Sequence, residues 1–254
     1  MCGICGQFRF DGEKVSSKSL DIMMSKLARR GPDSSGKWLH GVIGFGHQRL
    51  SIIDLSNLGS QAMVDEKLGL TLVFNGTIYN YKSLRALLIS HGYRFFSNSD
   101  TEVIIKAYHY WGEGCLERLD GMFAFAIWDE TTQKLFVARD RMGIKPFYFN
   151  ATSKAFTFAS NSQALLTQDL DKSINPVALQ QQLSLHGVVP APNTIINGIQ
   201  KLKPGTFMIL NADGHIQEKT YWSPSAKRPI GNISDQDYIE RTHELLTAAV
   251  TKRM

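Results

Sequence analysis

Short apolar runs alternating with polar positions dominate the first two thirds of the chain, and they predict strands more often than helices. Residues 4–10 (ICGQFRF), 41–46 (GVIGFG) and 70–74 (LTLVF) read as strands. The runs GMFAFAIWD and KLFVARD flank a short polar loop and predict a hairpin, with PFYFN, AFTFAS and TFMIL (206–210) as further strands. Helical spacing appears at 18–29 (Leu20, Met23, Met24, Leu27), ended by the turn Arg30-Gly31-Pro32-Asp33. It appears again from Tyr79 to His91, with Gly92 as the stop. Ser99-Asp100-Thr101-Glu102 has the form of a capping box before Val103, Ile104, Ala107 and Trp111. Asn175-Pro176 opens another helix, with a cap and then a Pro at the first helical position. Past Trp222 the stretch SPSAKRPIGN reads as a linker, and Ser234 starts an amphipathic helix through Tyr238, Leu245, Leu246 and Val250. Helices interleaved with paired strands predict an α/β or α+β sheet protein rather than a parallel doubly wound one.

A length of 254 residues accommodates one large domain and part of another. The net charge of +5 is spread along the chain without a run of like charges, which argues for solubility and against a nucleic-acid partner. The longest apolar stretch, Met122 to Trp128, is too short to span a bilayer, and the expectation is no membrane association. No charged n-region precedes an apolar h-region, so no signal peptide is expected. Three cysteines in a chain of this length point away from a disulfide framework and towards a reducing compartment, the cytoplasm.

Candidate chemistry begins at Met1-Cys2-Gly3. A small residue after the initiator Met favours its removal, which would leave Cys2 with a thiol and a free α-amine on one residue. The thiolate is the nucleophilic form, and an α-amine, titrating at roughly 7.7–8.0, is suited to act as its base. Cys2-Gly3-Ile4-Cys5 also has C-x-x-C spacing, but it lacks a second ligand pair for zinc and a preceding strand for a redox site, so Cys5 reads as a small buried residue. Asn75-Gly76, at the end of an apolar run, reads either as a tight turn or as a side-chain amide and backbone N–H aimed at an oxyanion. Arg49, in an apolar segment, suits a bidentate carboxylate contact or a surface ion pair. Asp100, in the first turn of a capped helix, complements the helix dipole or binds a cationic ligand group.

Taken together, MCGICG, RRGPDSSG, GHQRLSIIDLS, FNGTIYNY, SDTEVI, GMFAFAIWD, ARDRMGIKPFY and VPAPNTI resemble the class II glutamine amidotransferase (glutaminase) domain of the glutamine-hydrolysing asparagine synthetase family. These blocks occur in order over about residues 2–210. The resemblance implies an α+β N-terminal-nucleophile hydrolase fold, a four-layer αββα sandwich of two antiparallel sheets. It places a glutaminase domain at 2–212, and a linker with the first helix of an ATP-dependent synthetase domain at 213–254. It implies that Cys2 is the nucleophile, that Asn75 and Gly76 donate to the oxyanion, and that Arg49 holds the α-carboxylate of L-glutamine. Leu50, Ser51, Ile52 and Ile53 would line the pocket, and Asp100 would hold the α-ammonium.

Two departures from the family pattern matter. Thr77 stands where the family usually has Glu, so one negative charge near the substrate ammonium is replaced by a hydroxyl. The SGG-x-DS loop that holds ATP pyrophosphate in the family does not occur. No cofactor is therefore expected for this chain, and ATP and Mg belong to the synthetase domain expected in cis. The expected activity is hydrolysis of glutamine to glutamate and ammonia through a Cys2 thioester. The ammonia would be passed on for asparagine synthesis, and a homodimer is the candidate assembly. Three alternatives stay open: an acceptor other than aspartate, such as a sugar or another carboxylate; hydrolysis of a different amide; and a degenerate regulatory domain in which Thr77 marks a decayed site.

Overall fold

The alternating residues at the amino end form β1 (Gly3–Arg9), with Ile4 and Phe8 fully buried. The computed structural model describes residues 1–226 and 234–253. After β1 come α1 (Ser17–Ser25), β2 (Ser34–His40), β3 (Ile43–Arg49), β4 (Met63–Asp65) and β5 (Leu70–Ile78). Then follow α2 (Tyr81–Ser90), α3 (Asp100–Trp111), α4 (Cys115–Arg118), β6 (Gly121–Asp129) and β7 (Lys134–Arg139). The chain continues with β8 (Tyr148–Ala151), β9 (Ala155–Ala159), α5 (Ser162–Leu165), α6 (Pro176–Ser184), β10 (Gln200–Lys201), β11 (Thr206–Leu210) and β12 (Ile216–Thr220). The last element is α7 (Asp235–Thr251).

Two six-stranded sheets result, ordered β10-β8-β9-β1-β3-β2 and β12-β11-β7-β6-β5-β4, with antiparallel neighbours throughout. Three apolar clusters show how they stack. Ile4, Phe8, Phe45 and Phe158 of the first sheet meet Val73, Ala126, Trp128 and Val137 of the second. The outer face of the first sheet, with Cys5 and Ala159, takes Leu20, Met23 and Leu27 from the α1 region and Ala164 and Leu165 from α5. The outer face of the second, with Leu72, Phe74, Phe125 and Phe136, takes Leu84 and Leu88 of α2 and Val103, Ile104 and Ala107 of α3. Helices, sheet, sheet, helices: this is the expected αββα sandwich. The central strands β6 and β7 bury both faces, which explains why they read as continuous apolar runs rather than strict alternation.

Several elements differ from expectation. Asn75-Gly76 is not a turn: β5 runs through it to Ile78, with Asn75 opposite Ala124 and Gly76 opposite Phe123. The propensity of Asn-Gly for turns is overridden by nine consecutive pairings with β6. Ser99 caps α3, accepting from the Thr101 N–H, but no reciprocal box forms. The Glu102 carboxylate instead accepts from the N–H groups of Phe96 and Ser97 and from the Ser97 hydroxyl. The sequence pattern does not predict strands β2, β4, β10 and β12 or helices α4 and α5, because they are short, polar or edge elements. Of these, β12 lies beyond the expected boundary at 212. It pairs with β11 from Thr206–Thr220 to Leu210–Ile216, and the compact unit runs from Met1 to Trp222.

Ser223–Met254 forms the second unit. Its α7 begins as expected at Ser234, here with a true capping box to Asp237. Tyr238, Leu245, Leu246 and Val250 of its apolar face are exposed. Residues 227–233 of the expected linker lie outside the described residues. No helix is long and apolar enough to cross a membrane among the described residues.

Candidate active site

Side-chain parity brings the candidate residues to one end of the gap between the sheets. Along β1, Ile4 and Phe8 face that gap, so Cys2, two residues before Ile4, starts on the same face. Along β3, Ile43 and Phe45 face it, and His47 and Arg49 continue the row. Gly3 pairs with Gln48, which sets Cys2 beside Arg49. On the second sheet Val73 faces the gap, and so do Asn75 and Thr77. A cavity of about 170 Å³ opens where these rows end. It is lined by Met1, Cys2, Arg49, Leu50, Ile52 and Ile53 on one side, and by Asn75, Gly76, Thr77, Asp100, Met122 and Lys145 on the other. Of the expected residues only Ser51 does not line it; its N–H donates to Asp33 Oδ2 at 2.7 Å.

The Cys2 thiol is half-buried and lies against the Leu50 backbone, 3.4 Å from its N and 3.6 Å from its O. The Cys2 carbonyl accepts from Arg30 Nε at 3.1 Å. The other two thiols are unsuited to nucleophilic chemistry. Cys5 and Cys115 are fully buried, and burial pushes both thiols far up. All three cysteines are free, and Cys2 and Cys5 take opposite faces of β1, so the C-x-x-C spacing forms no joint site.

Asn75 is 1% exposed, yet neither its side-chain oxygen nor its nitrogen has a hydrogen-bond partner. A buried unpaired amide costs about 1–3 kcal/mol, which is the signature of a group held ready for a ligand. Next to it β4 stops pairing at Leu72, so the alternate N–H groups of Phe74, Gly76 and Ile78 face away from β6 without a partner strand. The Phe74 N–H donates to Gln61 Oε1 at 2.6 Å, and that of Ile78 donates to Asp100 Oδ2 at 3.0 Å. The Gly76 N–H lies between them on the cavity wall.

Arg49 and Asp100 supply the two charges. Arg49 is 6% exposed; its guanidinium donates to the carbonyls of Ser56 (3.0 Å) and Asp54, tying down the loop after β3. Gly59 makes room for it, since a Cβ there would sit 2.5 Å from the guanidinium. Two of five donors are used in this way, one on each terminal nitrogen, and three remain. Asp100 is 4% exposed and has no cation within ion-pair distance among the described residues. Burial pushes its carboxyl up to about 6, against the N–H groups and the Ser99 hydroxyl that favour the ionised form. The site therefore holds an uncompensated carboxylate waiting for a cation. His47 adds no charge: burial, then the neighbouring Arg49, holds it down at about 3. No group of three or more His, Cys, Asp or Glu side chains is placed to hold a metal among the described residues.

Among the lining and neighbouring residues that the sequence does not mark as candidates are Arg30, Lys145 and Gln61. Arg30 lay in a segment read as a turn, Lys145 in a loop, and Gln61 in an unassigned stretch. Lys145 is 5% exposed, and its backbone is fixed by Asp140, which accepts from its N–H at 2.9 Å. Nothing in their local patterns marks them, because each reaches the site from a connection rather than from a periodic element.

Comparison with known proteins agrees with this geometry. The glutamine amidotransferase domain family matches residues 1–222. The chain is 34% identical to asparagine synthetase [glutamine-hydrolyzing] 3 of Bacillus subtilis, over 100% of this chain and 41% of the relative. It is 38% identical to asparagine synthetase [glutamine-hydrolyzing] 1 of the same organism, over 93% of this chain and 37% of that protein. The chain thus spans about two fifths of the length of these curated relatives. The structure of glutamine phosphoribosylpyrophosphate amidotransferase from B. subtilis superposes with a TM-score of 0.64 at 20% identity, covering 88% of this chain and 50% of that one. With its two antiparallel sheets and the nucleophile candidate at the start of β1, the chain belongs to the class II glutamine amidotransferase family and has the N-terminal-nucleophile hydrolase fold.

Proposed function

We propose that this domain hydrolyses L-glutamine to glutamate and ammonia, with Cys2 as the nucleophile. Removal of Met1, which lines the cavity, would place the Cys2 α-amine beside its own thiol, where the amine takes the thiol proton. The thiolate attacks the side-chain carbonyl of glutamine, and the oxyanion that develops is met by the Asn75 amide and the Gly76 N–H. Collapse of the tetrahedral intermediate returns the proton to the leaving nitrogen, ammonia departs, and a γ-glutamyl thioester remains on Cys2. Water, deprotonated by the same amine, cleaves the thioester to glutamate. Arg49 would hold the substrate α-carboxylate and Asp100 its α-ammonium, leaving the amide at the far end of the cavity.

The observation that carries this reading is the Asn75 amide, buried and unpaired in the same small cavity as the Cys2 thiol. With Arg49 and an unneutralised Asp100 in the same walls, the cavity is complementary to a zwitterion bearing a distal amide. In the whole protein the ammonia would serve an acceptor carboxylate activated by ATP, aspartate being the one suggested by the names of the relatives. Those steps, and the ATP and Mg they need, belong to sequence beyond the matched region. Release of ammonia from glutamine, compared with a primary amide lacking the α-amine and α-carboxylate, tests the proposal. Equal rates on both amides would remove Arg49 and Asp100 from substrate binding, and no release from either would exclude a competent glutaminase.

A further inference from the structure

Gln61 occupies a junction that no feature of its own sequence neighbourhood announces. It is 7% exposed and lines the cavity. Its side-chain amide uses both ends: Oε1 accepts from the Phe74 N–H at 2.6 Å, and Nε2 donates to Thr101 Oγ1 at 3.2 Å. Phe74 directly precedes Asn75, and Thr101 directly follows Asp100. One buried amide therefore joins the strand that carries the oxyanion donors to the helix that carries the candidate ammonium ligand. The main chain of Gln61 is anchored as well. Its carbonyl oxygen lies where a side chain at Gly36 of β2 would begin, 1.7 Å from a Cβ placed there. Gln61 is thereby seated on the edge of the first sheet, which carries Cys2 and Arg49, while its side chain grips the second sheet and α3.

We infer that Gln61 is a positioning residue that sets the span between Asp100 and the Asn75–Gly76 pair, and so fixes the substrate chain length the site accepts. This inference rests on the glutaminase reading above. A zwitterion held at one end and attacked at the other is measured by the cavity. Glutamine and asparagine carry the same three functional groups and differ by one methylene. For the site to choose between them, the ammonium-binding end and the oxyanion-binding end must not slide relative to each other. The body of α3 is packed on the sheet through Val103, Ile104 and Ala107, but at its first turn the hydrogen bond to the strand is the Ile78 N–H to Asp100 bond. The Gln61 amide adds a second polar tie at that turn, through Thr101 next to Asp100 and Phe74 next to Asn75.

The test is the ratio of kcat/KM for glutamine over asparagine, measured by ammonia release from the full chain. Three substitutions are used: Gln61→Leu, which removes both bonds; Gln61→Glu, which keeps the acceptor for Phe74 and can also accept from the Thr101 hydroxyl; and Thr101→Val, which removes one end of the tie. In Gln61→Leu the ratio should fall roughly tenfold or more, on the scale that one methylene is worth in a fitted pocket. Most of the fall should come from kcat for glutamine. Thr101→Val should shift the ratio in the same direction by less, and Gln61→Glu should retain most of it. Glutamine affinity of the same substitutions in a Cys2→Ala background, read by calorimetry, separates binding from turnover if Gln61→Leu folds poorly. An unchanged ratio in Gln61→Leu and Thr101→Val, with glutamine still hydrolysed, overturns the inference and leaves the glutaminase reading intact. A wild-type chain that releases no ammonia from glutamine refutes that reading instead.

Discussion

On the proposed glutaminase reading Asp100 sets binding against stability, and the trade-off can be measured. In an unfolded chain its carboxyl titrates near 3.8; in the folded, ligand-free site burial raises it to about 6. Between those values the folded chain keeps a proton that the unfolded chain has released, so stability falls as pH rises through the window. Below 3.8 there is no penalty, and above about 6 it is complete. About two pH units at 1.36 kcal/mol each give a penalty of roughly 3 kcal/mol. Asp100→Asn removes the buried charge while keeping an acceptor for the Ile78 N–H. It forfeits a favourable charge in the first turn of α3, worth about 0.3–1 kcal/mol. A net gain of roughly 2 kcal/mol at pH 8 is expected, or about 4–8 °C in Tm for a domain of this size. Near pH 4 the gain should shrink towards zero. The same substitution removes the charge that would grip the substrate ammonium, so KM for glutamine should rise roughly ten- to a hundredfold, as expected for a lost charged hydrogen bond of about 1.5–3 kcal/mol. Thermal unfolding at pH 8 and pH 4, with glutaminase kinetics at pH 8, reads both effects. A variant less stable than wild type at pH 8, or equally stabilised at both pH values, would refute the assignment of Asp100 as an uncompensated buried carboxylate.

Other substitutions probe the remaining walls. Asn75→Ala should lower kcat by roughly 10²–10³ with little change in glutamine affinity, as for loss of one oxyanion donor; an unchanged kcat would take the side chain out of the reaction. Thr77→Glu restores a carboxylate on the cavity face of β5 and should lower KM for glutamine more than it alters kcat. If KM stays constant, Thr77 does not meet the substrate. A form that retains Met1 should be inactive, because the amine would stand about 3.8 Å further along the chain. Measured turnover in such a form, verified by intact mass, would show that the α-amine is not the base.

Much of the architecture was legible because the long strands carry their pattern locally. The hairpin of β6 and β7 and the helices α1, α3 and α6 follow from apolar spacing and caps. The edge strands did not announce themselves: β2 is polar (SSGKWLH) and largely solvent-facing, β4 has three residues, and β12 (IQEKT) is polar and mostly exposed. Asn75-Gly76 shows the opposite failure. A strong local turn signal is overruled by pairing with β6, and the proposed oxyanion role needs that overruling, since a turn would aim the Asn75 amide elsewhere. For the cavity, family likeness supplied nine of its lining residues and one that does not line it, Ser51. Gln61, Arg30 and Lys145 escaped notice because they act through contacts distant in sequence, which spacing does not report.

The central claim is that glutamine passes through a covalent intermediate on Cys2. Single-turnover reaction of the Met1-trimmed chain with glutamine, quenched in acid within milliseconds to seconds and read by intact mass and peptide mapping, tests it most directly. The account predicts a transient adduct with the mass of one glutamine less one ammonia, confined to the peptide that begins at Cys2 and absent from Cys2→Ala. Full release of ammonia with no such adduct at any time, or an adduct on Cys5 or Cys115, would contradict it.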